Sequence, residues 1–254
     1  MSIGNESAVG IALVFPELLG TYGDGGNAVV LAQRLRWRGL PAEIVRVGMD
    51  DVLPHGCDIY VLGGGEDAPQ MLATTRLAEL GLARAVDRGA TVFAVCAGLQ
   101  VLGHRFTGSD GKPESGLGIV DCTTRPKGER QIGELVVEPT AFDLPLLTGF
   151  ENHGGITDLG PSAAPLGRVK VGHGNGVAGV EGVVSGHVVG TYLHGPALAR
   201  NPALADLLLS WVTGPLEPLD EPLVERLRTE RLRAALGRPR PQARRAARRT
   251  ASDA

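Results

Sequence analysis

The chain is poor in aromatic residues, which make up 4% of its 254 positions, and it holds only three cysteines, Cys57, Cys96 and Cys122. Three scattered cysteines exclude a disulfide framework and a CxxC-type zinc site, and leave room for a single reactive thiol. No apolar run reaches the roughly 18 residues that would span a bilayer. The opening segment carries Glu6 and no basic residue before its first apolar stretch, unlike a secretory signal, so a cytoplasmic location is expected. No GxxxxGKS/T segment occurs, so the chain has no recognisable phosphate loop for ATP. What is plentiful is glycine, 37 residues, beside 17 prolines without a collagen-like period. With 43% hydrophobic and 21% charged residues, the composition is that of a folded protein. The net charge of −3 hides an asymmetry: residues 231–254 hold eight Arg and one Asp, or +7, which leaves −10 on residues 1–230.

Short runs of small and branched residues read as buried strands: Ala8 to Val14, Ala42 to Val47, Asp58 to Leu62 and Ala90 to Val95. Between them lie helical patterns, one capped by Asn27 and reaching Arg38 with Val30, Leu31, Leu35 and Trp37 inward, another over Gln70 to Asp87. Strands alternating with helices imply βαβ units, hence an α/β fold with a largely parallel sheet and flanking helices. Leu117 to Cys122, Gln131 to Glu138, Gly179 to Val184 and His187 to Leu193 make the second half β-rich, without helices until Pro202. Leu204 to Val212 and Leu223 to Leu236 close the fold. A single domain over 1–236 is expected, followed by a Pro- and Arg-rich tail, 237–254, with no core-forming pattern.

Ala94-Val95-Cys96-Ala97-Gly98 follows a buried strand and precedes a helical pattern, the layout of a nucleophile elbow. Small residues two before and two after the thiol relieve crowding, and the helix N-terminus favours thiolate. A thiolate nucleophile needs an imidazole partner. His194, at the end of the HVVGTYLH strand, reaches the same edge of a parallel sheet as Cys96, with His153 in ENHGG as the competitor. No Glu stands two residues after His194, where Gly195-Pro196 follow. Gly63-Gly64-Gly65 closes another strand, so that Gly64 and Gly65, with Ala97, are candidate oxyanion donors. Gly23 to Ala28 matches GxGxxA, with Glu43 at a spacing that suits a ribose, but eight residues separate it from its strand, which argues against a dinucleotide site.

Together the elbow, the glycine turn and the late histidine resemble a class I glutamine amidotransferase domain. GTYGDGGNA (20–28), LGGGEDAPQ (62–70), VCAGLQVLG (95–103), GFENHGGIT (149–157) and GTYLHGPALARNP (190–202) occur in the order of the cobyric-acid-synthase-like branch. Within it they are most similar to the GatD subunits of lipid II isoglutaminyl synthases. The resemblance implies that Cys96 attacks the side-chain amide of L-glutamine, that His194 shuttles protons, and that Arg130 contacts the substrate. A guanidinium fork suits an α-carboxylate. Gln70 and Gln100 fall at positions expected to line the pocket. The resemblance further implies a third, orienting carboxylate from a partner, a Mur-ligase-like MurT subunit in a heterodimer. That partner would carry ATP and Mg, and the acceptor on the complex would be lipid II. No cofactor is expected in this chain, and no nucleic acid partner. Alternatives are a glutaminase for another amidating synthetase of cobyric-acid type, a DJ-1/PfpI-like cysteine hydrolase, which lacks the late TYLHGP block, and a non-catalytic scaffold, against which intact Cys96 and His194 argue.

Overall fold

The computed structural model describes residues 7–108 and 110–237, so the tail expected from 238 onward lies outside the described residues. The apolar runs become β1 (Val9–Val14), β2 (Ala42–Val47), β3 (Ile59–Leu62) and β4 (Thr91–Val95). Every residue of β3 and β4 is buried, as a parallel sheet covered on both faces demands. A second sheet holds β5 (Arg105–Thr107), β6 (Pro113–Ser115), β7 (Cys122–Pro139), β8 (Leu147–Leu159), β9 (Gly167–Val171) and β10 (Val180–Glu181), with β8 pairing antiparallel to β7. The chain then returns to the first sheet as β11 (Val183–Ser185) and β12 (Val188–Thr191). That sheet has the order β11-β12-β4-β3-β1-β2 and is parallel except at β11.

Helices α1 (Gly26–Trp37), α2 (Asp67–Leu80), α3 (Leu82–Asp87), α4 (Ala97–Leu102), α5 (Ala197–Arg200), α6 (Pro202–Thr213) and α7 (Pro222–Leu236) complete the fold. Among the described residues no helix is long and apolar enough to cross a membrane. Leu31 and Leu35 are fully buried on α1, but Trp37 is 57% exposed, contrary to expectation. Nor does Asn27 cap α1: it lies inside the first turn and is spent on tertiary contacts, accepting from the Leu198 N–H at 2.9 Å and donating to the Asp24 carbonyl. The single helix expected over Gln70 to Asp87 is two, because Gly81 takes φ 74° and the left-handed turn ends α2. Leu117 to Cys122 is mostly loop running into β7, and α5 precedes Pro202 where no helix was expected.

On β10, Glu181 is fully buried. Its Oε1 accepts from the Tyr192 N–H at 2.7 Å and the Thr191 hydroxyl at 2.8 Å, while Oε2 has no hydrogen-bond partner among the described residues. Burial, with nearby Glu151, pushes its carboxyl up to about 7, against those two hydrogen bonds. Between about pH 4.5 and 7 the folded protein therefore keeps a proton that the unfolded chain releases, and stability falls by roughly 3 kcal/mol as pH rises across that window. Glu181→Gln keeps the accepting oxygen and removes the titration. Denaturation at pH 5 and pH 8 is expected to show a smaller difference for this variant than for the wild type.

Candidate active site

Cys96, His194 and the glycine turn all lie just past the C-terminal ends of their strands, the edge at which parallel sheets bind ligands. The register makes this meeting unavoidable: β12 pairs β4 with Thr191 opposite Val95, so Cys96 and His194 leave adjacent strand ends together. Cys96 is the elbow residue between β4 and α4, with φ 51° and ψ −106°, a conformation L-residues rarely adopt. Gly98 is required there, since a Cβ would stand 2.9 Å from the Leu62 side chain and 3.0 Å from the Leu62 and Gly63 carbonyl oxygens. Gly64 is required for the approach of the histidine: a Cβ on it would lie 2.7 Å from His194 Cε1 and 3.4 Å from Cys96 Cβ.

His194 is completely buried, its ring stacked on Phe150 and met edge-on by Tyr22. Its Nδ1 lies 2.9 Å from Asp24 Oδ2, and Asp24 is equally buried. The chain thus places a carboxylate of its own on Nδ1, where the sequence suggested none: Asp24, from the loop after β1. With Nδ1 engaged, Nε2, which meets no geometric hydrogen-bond partner among the described residues, is the nitrogen left for exchange with Cys96. Burial disfavours the charged ring, but Asp24 and the adjacent Cys96 outweigh it and raise His194 to about 9. An imidazolium beside a sulfur favours thiolate.

The expected oxyanion donors divide. The Gly64 N–H is not available, because it donates to Asp24 Oδ2 at 2.9 Å. Gly65 lines the cavity beside Cys96, and Ala97 opens α4, where helical N–H groups lack an intrahelical acceptor. These two remain as candidates.

Cys96 forms part of the wall of a cavity of about 340 Å³. Arg130 lines it too, inside β7 and not before it, on a bulge between Pro126 and Gln131 that Gly128 permits with φ 93°. Bulges re-aim side chains, and here Arg130 Nε donates to Asn152 Oδ1 of β8 at 2.5 Å. Gln70 and Gln100 also line the cavity as expected; Gln70 Nε2 donates to Gln100 Oε1, and Gln100 Nε2 donates to the Tyr192 hydroxyl. His153 lines it too, but is not placed as a base for Cys96. Its Nδ1 lies 3.0 Å from the Gly155 carbonyl oxygen, its Nε2 faces Glu151 at 3.6 Å and its ring stacks on Tyr192. The GxGxxA segment is consumed by the fold, with Asp24 on His194 and Asn27 on α5.

Thiol, imidazole and carboxylate in series, with the thiol on the wall of a cavity that a guanidinium also lines, form the apparatus of cysteine-dependent amide cleavage. The chain belongs to the CobB/CobQ-like glutamine amidotransferase family, whose domain profile matches residues 10–202. Among curated proteins it is 38% identical over 197 residues to the Staphylococcus aureus lipid II isoglutaminyl synthase (glutamine-hydrolyzing) subunit GatD, covering 75% of this chain and 79% of the relative. The Streptococcus pneumoniae GatD is 35% identical over 205 residues, covering 79% and 78%. Cobyric acid synthase of Sphingopyxis alaskensis is 31% identical over 175 residues, covering 66% of this chain but 34% of that protein. The fold is shared with solved structures of a glutamine amidotransferase (TM-score 0.52, 20% identity, covering 79% of this chain and 97% of that one) and of PurLQS from Thermotoga maritima (TM-score 0.56, 17% identity, covering 82% and 98%).

Proposed function

We propose that this chain is the glutamine-hydrolysing subunit of a lipid II isoglutaminyl synthase. The observation that carries its chemistry is the buried His194 held between Asp24 and Cys96. Glutamine enters the cavity with its α-carboxylate on the Arg130 fork and its side-chain amide at Cys96. The sulfur attacks the amide carbon, and the tetrahedral oxyanion is met by the N–H groups of Gly65 and Ala97. His194 gives its Nε2 proton to the departing nitrogen, ammonia leaves, and a γ-glutamyl thioester remains. The neutral ring then takes a proton from water, the hydroxide attacks the thioester, and glutamate is released with Cys96 and His194 restored.

Ammonia does not displace water from a carboxylate without activation, so an ATP-dependent, Mur-ligase-like subunit of MurT type is the proposed partner, with ATP and Mg bound there. The proposed acceptor is D-glutamate of the lipid II stem peptide, converted to D-isoglutamine, and the proposed location is the cytoplasm. Similarity to the GatD subunits over three quarters of the chain supports this acceptor over a corrinoid. The test is to purify the tagged chain with its co-purifying ligase and supply lipid II, glutamine and ATP. Isoglutamine in the stem peptide is expected by mass spectrometry, and amidation of a different acceptor by the same complex would overturn the assignment. For Arg130→Ala we expect KM for glutamine to rise roughly 10- to 100-fold, the worth of a charged hydrogen-bonded pair, with a smaller change in kcat.

A further inference from the structure

Tyr22 takes no part in the chemistry above, yet three parts of the site converge on it. It has φ 63°, a left-handed conformation that a bulky side chain adopts only when its surroundings impose it. That turn places Asp24, two residues on, against His194, and sets the edge of the Tyr22 ring on the same imidazole, with centroids 5.0 Å apart and planes at 77°. The ring also meets Phe150 edge-on at 5.7 Å. Its hydroxyl accepts from Asn152 Nδ2 at 2.5 Å and, more distantly, from Arg130 Nη2 at 3.5 Å.

Arg130 closes the triangle, since its Nε donates to Asn152 Oδ1 and its Nη2 to the Asn152 carbonyl at 3.4 Å. Arg130 and Asn152 line the cavity, whereas Tyr22 does not. A carboxylate that binds a guanidinium in bidentate fashion takes two parallel N–H donors. In Arg130 the Nε and Nη2 donors are already engaged by Asn152 and Tyr22, so an arriving carboxylate that uses either competes with them. Tyr22 is 39% exposed, while His194 on its other side is fully buried.

We propose that Tyr22 is a positioning residue that carries occupancy of the carboxylate site at Arg130, through Asn152, to the His194 ring. The inference rests on the glutaminase reading. When glutamine's α-carboxylate draws on the guanidinium, Asn152 and the Tyr22 hydroxyl lose a donor, and the ring edge against His194 readjusts. His194 is then aligned for proton delivery only when a substrate bearing the carboxylate is seated. The carboxylate therefore contributes to turnover as well as to binding.

Tyr22→Phe removes the hydroxyl and keeps the ring. The experiment compares L-glutamine with 4-aminobutanamide, the same side-chain amide without the carboxylate, and follows the His194 Hε1 resonance in Cys96→Ala protein, where nothing turns over. With Tyr22 intact, glutamine shifts the resonance and 4-aminobutanamide does not. With Tyr22→Phe, the glutamine-induced shift is lost although glutamine still binds. In the Cys96 enzyme, the kcat advantage of glutamine over 4-aminobutanamide shrinks roughly fivefold or more on Tyr22→Phe, while the KM advantage is kept. A general structural defect would lower kcat for both amides alike. An unchanged His194 shift in Tyr22→Phe, or an unchanged kcat ratio, overturns the proposal and leaves the glutaminase reading standing. Wild-type protein that hydrolyses no glutamine, alone or with its ligase, overturns the reading itself.

Discussion

Cys96→Ala abolishes glutamine hydrolysis, by roughly a thousandfold or more, and leaves the protein folded. The sulfur is the only group at the elbow that can form the thioester, and no other cysteine stands in for it. Cys122 is buried and its thiol is pushed up to about 12 by that burial, while Cys57 lies outside the cavity, before β3. Alanine retains a Cβ and so carries the same strain at the positive-φ elbow as cysteine, and the melting temperature is expected to change little. Cys96→Gly offers a sharper contrast, because glycine occupies φ 51° without a Cβ. It is expected to be equally inactive and more stable than Cys96→Ala, which marks the strain at the elbow as a cost of presenting the thiol. Ammonia release by the purified protein, with a thermal melt of each variant, checks both statements. Undiminished ammonia release from Cys96→Ala would exclude the nucleophile assignment.

Asp24→Asn is expected to lower kcat/KM by roughly a hundredfold to ten-thousandfold with the fold retained, the effect of losing the orienting charge behind a catalytic imidazole. The pH profile distinguishes this from simple damage. His194 is raised from 6.5 to about 9, so activity that depends on its proton falls as pH rises through about 9. Removing the Asp24 charge lets burial prevail, and the alkaline limb moves toward lower pH. The same linkage fixes the sign for stability. The Asp24–His194 pair contributes fully below pH 6.5, and its contribution is lost as pH rises through about 9. Asp24→Asn is therefore most destabilised relative to wild type at the acid end of that range. Wild-type activity and an unshifted alkaline limb would show that the orienting acid comes from elsewhere, as the family resemblance implies.

Much of the site was legible because it is built from local pattern. An all-apolar strand followed by Ala94-Val95-Cys96-Ala97-Gly98 can turn only where small residues permit, and alternating strands and helices bring strand ends to one edge, so Cys96 and His194 could be paired from 98 positions apart. Asp24 could not. It sits in a glycine-rich loop, 170 residues from His194, with no periodicity or spacing tied to the ring it orients. Gly64 was assigned a free N–H for the same reason: only the folded chain shows Asp24 accepting it.

The second sheet was the least legible part. The strand β8 carries Gly149, Gly154 and Gly155 and two acidic residues, a composition that disfavours a strand in isolation, and it forms because β7 supplies a long antiparallel ladder against it. Leu117 to Cys122 shows the converse, an apolar run that lacks a strand partner over most of its length and stays in loop. The sequence alone determined the parallel core, the elbow and the strand-end histidine, because hydrophobic periodicity and backbone sterics act over a few neighbouring residues. Tertiary structure alone decided which carboxylate orients His194, which glycine N–H groups stay available and where the β7 bulge aims Arg130. Those outcomes depend on contacts between distant segments, which no local preference encodes.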